Sequence, residues 1–104
     1  KFGKIVFMIY NDLYTVTYSD NENATIVLSD NNHPVFQAHF PSNPILPGFI
    51  HFEIVSDIFD LDIQTIKKAK FTKIISPSQT LKYEKKANKF KVFCENVEVA
   101  SFAL

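Results

Sequence analysis

The chain has no arginine: all eleven of its cations are lysines. No guanidinium fork is therefore available for bidentate recognition of phosphate. Eleven acidic residues balance them, so no global charge points to nucleic acid or to a membrane surface. There is one cysteine, Cys94. It excludes an internal disulfide and fits a reducing compartment, so a cytoplasmic location is expected. No apolar run approaches the roughly 20 residues of a membrane span, and the apolar opening KFGKIVFMIY lacks a small-residue cleavage site. Three histidines and one cysteine show no metal-ligand spacing, so neither metal nor dissociable cofactor is expected. Glycine is scarce, with two in the chain. Linkers, repeats and low-complexity tracts are absent.

What is present is a core. Hydrophobic residues make up 46% of 104 and eleven residues are Phe, which excludes disorder. The length suits one domain, residues 1–104, with one modest core.

Residues 39–57, HFPSNPILPGFIHFEIVSD, organise the rest. Pro41, Pro44 and Pro47 recur every third residue. Each fixes φ, removes a donor and drives its predecessor out of the α region. Pro47-Gly48 then opens an apolar run, and proline is well placed in the first turn of a helix. The reading is a rigid loop carrying His39, feeding a helix over about residues 48–59. That helix carries Glu53 among apolar neighbours, with Asp57 one turn later. A base on a loop and a buried acid on a helix are the parts of proton-transfer chemistry.

On either side the pattern is β. Residues 4–10 are β-branched and aromatic, residues 13–19 alternate, and residues 24–29 follow a polar turn, so a hairpin is expected. Residues 30–34 read as loop, and Val35-Phe36-Gln37 as a short extended piece. After the helix, residues 65–75, 80–86, 90–95 and 97–104 read as strands of a meander. Strands around one helix argue for an α+β fold, with an antiparallel sheet covering the helix. The helix is apolar on nearly all sides, more than one small sheet can cover, so a partner chain or another layer is expected.

The segment His39-Phe40-Pro41-Ser42-Asn43-Pro44-Ile45-Leu46-Pro47-Gly48, with Glu53 fourteen residues after His39, resembles the signature of the 3-hydroxyacyl-acyl-carrier-protein dehydratases. Their pattern is H-F-P-G-x-P-x-x-P-G followed by an acid on the central helix. TIVLSDNNHPVFQAHF and KFTKIISPSQTLKYE are similar to the segments on either side, so the likeness covers roughly residues 14–104. It implies a hotdog fold, an antiparallel sheet wrapped around one long central helix. Departures are Ser42 and Ala38 for glycines, Asp57 for glutamine, and Ser78-Gln79 for Gly-Asp. The chain is short for the family, and the N-terminal helix of many members is not expected here.

The resemblance implies dehydration of a 3-hydroxyacyl thioester, on acyl-carrier protein or CoA, to the trans-2-enoyl product in fatty-acid or related biosynthesis. His39 would take the C2 proton and Glu53 would protonate the departing hydroxyl. The Gly48 N–H, at the positive end of the helix, would meet the thioester oxygen. Phe40, Pro47 and Asp57 are further candidates for substrate contact. Burial among Phe49, Phe52 and Ile54, and the like charge of Asp57 at i+4, should raise the Glu53 pKa. A homodimer is implied, or a higher oligomer, with His39 of one chain facing Glu53 of the other. Two other readings stand beside this one. A thioesterase on the same fold would use the helix carboxylate to activate water, and a non-catalytic acyl-binding hotdog protein would use neither group. His51 lies on another helix face from Glu53 and reads as structural or interfacial. His33 reads as loop and Cys94 as inert core. Lys67, Lys68, Lys70 and Lys73 read as a solvated strand face or a docking patch for acidic carrier protein.

Overall fold

A computed structural model describes residues 12–38 and 42–104. The strand expected over residues 4–10 lies outside the described residues, as do His39, Phe40 and Pro41. Among the described residues, six strands form one antiparallel sheet: β1 (Tyr14–Ser19), β2 (Asn23–Leu28), β3 (Lys68–Phe71), β4 (Thr80–Lys86), β5 (Lys89–Cys94) and β6 (Val97–Ala103). Their spatial order is β1-β2-β4-β5-β6-β3. Two helices are described between β2 and β3 in the chain, α1 (Pro34–Ala38) and α2 (Ile50–Ile58).

The sheet follows from alternation. In β2 the residues Ala24, Ile26 and Leu28 are buried while their neighbours are not, and Leu81 and Tyr83 of β4 do the same. Phe90 and Val92 of β5 pair with Phe102 and Ala100 of β6, all on the buried face. The period of two puts these side chains on one side of the sheet, where Ile50, Ile54 and Val55 of α2 complete the core. The path of α2 is marked by its ring contacts. Phe52 meets Phe102 edge-on, with centroids 4.9 Å apart, and Phe59 lies 6.0 Å from Phe90.

The turns manage with little glycine. Asp20 Oδ1 accepts from the backbone N–H groups of Glu22 and Asn23 at 2.8 and 2.7 Å, closing the β1–β2 hairpin as an aspartate does in an Asx turn. Glu95 and Asn96, between β5 and β6, both have positive φ, the pattern of a two-residue hairpin whose twist matches the strands. Helix α2 stops at Asp60, φ 52°. There the Leu61 N–H reaches back to the Ser56 carbonyl at 3.0 Å, as in a Schellman motif.

Four expectations need correction. Val35-Phe36-Gln37 is helical, within α1, rather than extended. Pro34 sits at its first position, where a missing N–H costs nothing. His33 is the cap of that helix rather than plain loop: its Nδ1 accepts from the Val35 N–H at 3.1 Å, and its carbonyl from the Phe36 and Gln37 N–H groups. The strand expected over residues 65–75 is regular only over Lys68–Phe71, where it pairs with β6. The helix expected from residue 48 begins at Ile50, after a turn at Gly48 and Phe49.

Candidate active site

The entry to α2 is built by the proline loop. The Leu46 N–H bonds the Ile75 carbonyl at 2.8 Å, tying the loop to the chain beyond β3. The first turn is tight. Ile50, His51 and Phe52 donate to the carbonyls of Pro47, Gly48 and Phe49 at 3.1–3.2 Å, bonds one residue shorter than those of an α-helix. Phe49, at the cap position, makes no side-chain capping bond. The Gly48 N–H donates to no acceptor among the described residues.

Gly48 has a second reason to be glycine. A Cβ here would fall 3.0–3.1 Å from three ring carbons of Phe71, inside ordinary contact. The close neighbour is therefore the face of an aromatic ring from β3. A cavity of about 270 Å³ lies here, walled among others by Leu46, Gly48, His51, Phe71, Lys73 and Ile74.

Glu53 lies five residues beyond Gly48, half-buried. Its Oε2 is enclosed and has no hydrogen-bond partner among the described residues. Burial raises its pKa above the usual carboxylate range, because desolvation penalises the charged form. The expected help from Asp57 is corrected. Asp57 is exposed, and its Oδ2 accepts a 2.5 Å hydrogen bond from the Tyr14 hydroxyl of β1. The rise at Glu53 has burial as its cause. The charge of Asp57 registers at Tyr14, whose pKa is raised by burial first and by Asp57 second.

His51 is buried, at 1% exposure, and its Nδ1 lies 2.7 Å from the Tyr83 hydroxyl. Burial holds its pKa at about 4, so the ring is neutral at physiological pH. The structure thus brings Pro47, Gly48, His51, Glu53 and Asp57 into one turn-and-helix unit. His39 and Phe40 lie outside the described residues. Tyr14 and Tyr83 are the partners that the sequence reading missed. Each is distant in sequence from its helix residue, and both sit in alternating strands where tyrosine reads as ordinary packing.

Elsewhere, Cys94 is buried, and burial chiefly pushes its thiol up, as for an inert core cysteine. Lys68 and Lys70 line a groove of about 530 Å³ with Lys89 and Lys91, over Ser101 and Ala103. Among the described residues no three His, Cys, Asp or Glu side chains are grouped to hold a metal. No described helix is long and apolar enough to cross a membrane.

Known proteins resemble this chain. A dehydratase of Xenorhabdus doucetiae, solved as the heterocomplex ApeI:P, superposes with a TM-score of 0.65 at 19% identity, covering 86% of this chain and 93% of that one. The fold is accordingly the hotdog fold. Among curated relatives, the 3-hydroxyacyl-[acyl-carrier-protein] dehydratase FabZ of Latilactobacillus sakei is 32% identical over 73 residues, 58% of this chain and 52% of that protein. FabZ of Lactiplantibacillus plantarum is 29% identical over 98 residues, 74% of this chain and 67% of that protein. The chain thus spans about half to two thirds of these relatives. The family model described as ApeI dehydratase matches residues 16–102, from β1 through α2 to β6. The chain belongs to the ApeI-like dehydratase family.

Proposed function

We propose that the chain dehydrates a 3-hydroxyacyl thioester, carried on phosphopantetheine of an acyl-carrier protein or CoA, to the trans-2-enoyl thioester. The observation that carries this reading is the enclosed, unpartnered oxygen of Glu53 with its raised pKa. A carboxyl group in that state holds a proton closer to neutrality than an exposed one, as a general acid must. His39 removes the C2 proton. The C2–H electron pair becomes the new double bond, and the C3–O bond breaks. Glu53 gives its proton to the departing hydroxyl, which leaves as water. The N–H of Gly48, unused by the described residues, stabilises the charge on the thioester oxygen.

The same reading makes the enzyme a homodimer. His39 on the loop of one chain is paired with Glu53 on the helix of a second copy, so that each site draws on both chains. Edge strand β3 is exposed along its length, and Phe49, Ile66, Phe71 and Ile74 are 43–69% exposed. A paired edge is how such strands are protected.

The experiment is turnover of a 3-hydroxyacyl thioester, read by the ultraviolet absorbance of the enoyl product. His39→Ala and Glu53→Gln should each lower the rate by about two to four orders of magnitude with the fold intact. Full activity in Glu53→Gln would defeat the mechanism, and thioester hydrolysis in place of elimination would make the protein a thioesterase.

A further inference from the structure

The buried pair His51 and Tyr83 does nothing in the mechanism above, yet its chemistry is tightly defined. Tyr83 on β4 is fully buried, and burial keeps its hydroxyl protonated, with a pKa well above the usual value. A buried O–H must donate. The acceptor in reach is Nδ1 of His51 at 2.7 Å. His51 is itself neutral, its pKa near 4. A neutral imidazole that accepts at Nδ1 carries its proton on Nε2. The strand residue therefore fixes the tautomer of the helix residue.

That leaves one N–H to account for. Nε2 of His51 has no hydrogen-bond partner among the described residues. His51 lines the 270 Å³ cavity, together with Gly48, Phe71 and Lys73. Its first-turn position is held by the bond from its own N–H to the Gly48 carbonyl at 3.1 Å. Phe71 stacks beside it, with centroids 6.1 Å apart and planes 19° from parallel. A donor held by packing on one side and a hydrogen bond on the other is preorganised. Such a donor costs no reorganisation when charge develops on an oxygen beside it.

We infer that the Nε2–H of His51, oriented by Tyr83, is a second hydrogen-bond donor to the carbonyl oxygen of the substrate in the Gly48 cavity. The substrate class is a thioester or another acyl compound with a carbonyl polarised next to Gly48, and the inference rests on the dehydratase reading for which of these it is. His51 is then a substrate-binding residue. Tyr83 is a positioning residue that acts through it. A neutral imidazole suits the task, because it donates without handing over its proton.

The test is ¹⁵N NMR of histidine in the intact protein, with and without a non-hydrolysable crotonyl thioether-ketone analogue of the thioester. The expected result is an Nε2–H tautomer for His51 in the free protein, and a ligand-induced shift of its Nε2–H resonance. His51→Gln, which retains a side-chain N–H donor, should keep more activity than His51→Leu. His51→Leu should lose about 10²-fold in kcat with little change in KM. Tyr83→Phe should give a mixture of tautomers and an intermediate loss. An Nδ1–H tautomer in the wild type, or an Nε2–H signal indifferent to bound analogue, would overturn the assignment, even if the variants fold poorly. Failure of the dehydratase reading looks different: the analogue shifts His51 Nε2–H while no 3-hydroxyacyl thioester is turned over.

Discussion

The Tyr14 hydroxyl on edge strand β1 donates to Asp57 on α2 at 2.5 Å, one helical turn from the unpartnered oxygen of Glu53. The bond holds the second carboxylate of the helix against the sheet edge. While it is made, burial is the cause of the raised Glu53 pKa. Asp57→Asn should therefore leave the alkaline limb of the pH–rate profile, where the general acid Glu53 loses its proton, where it is. Tyr14→Phe should move that limb to higher pH, because a released carboxylate at i+4 disfavours a second negative charge. Adding Asp57→Asn to Tyr14→Phe should return it. A limb that shifts with Asp57→Asn alone would show that the two carboxylates interact across the bond.

Glu53 and His51 should leave opposite marks on stability. The Glu53 pKa is raised in the folded state. Its contribution is present below the unfolded carboxylate pKa and is lost as pH rises through the folded value. Glu53→Gln should make the protein more stable relative to wild type at neutral pH than in acid, as read by urea unfolding at a series of pH values.

His51 behaves in reverse. Its folded pKa is about 4, against 6.5 for the free side chain. Between those values the unfolded chain binds a proton that the folded one refuses, so stability falls as pH drops through this window. The loss amounts to about 3 kcal/mol once pH is below both values. His51→Gln should flatten this part of the curve. A wild-type curve level from pH 6.5 to 4 would mean that His51 takes up its proton while folded.

Gly48→Ala should be destabilising by about 1–2 kcal/mol, the usual scale of a small overpacking. The new methyl would press on the Phe71 ring at 3.0 Å. Phe71→Leu in the same chain should recover part of the loss in thermal denaturation. No recovery would place the strain in the backbone and not in this contact.

Subunit mixing tests assembly. Inactive His39→Ala and inactive Glu53→Gln chains should regain activity together, because one site of each mixed dimer keeps both wild-type groups. No recovery despite proven exchange, or a fully active monomer, would remove the shared site.

The alternating strands β2, β4 and β5 were legible in the sequence because one face of each is buried and the other wet. The site's helix was legible from Pro47-Gly48 and the apolar run after it. The missed features depend on partners far along the chain. Asp57 looks like a neighbour of Glu53 when only i+4 spacing is considered, and its actual partner is 43 residues away. His51 looks like a spare histidine until Tyr83, 32 residues on, is placed beneath it. Helix α1 was lost for a different reason: five residues are too few for periodicity, and the signal that remained was Pro34 at a first helical position.

Glycine scarcity has a consequence for the tolerance of this fold to change. Asp60, Ser78, Ala87, Glu95 and Asn96 all carry side chains at positive φ, a conformation that costs an ordinary L-residue about 1–2 kcal/mol. Ala87 in the β4–β5 turn is the plainest case, since alanine has no side-chain polar group to offset the cost. The turns thus hold a reserve of unclaimed stability, remote from α2. Glycine at 87 would draw on it, giving room for otherwise damaging substitutions around Gly48, His51 and Glu53.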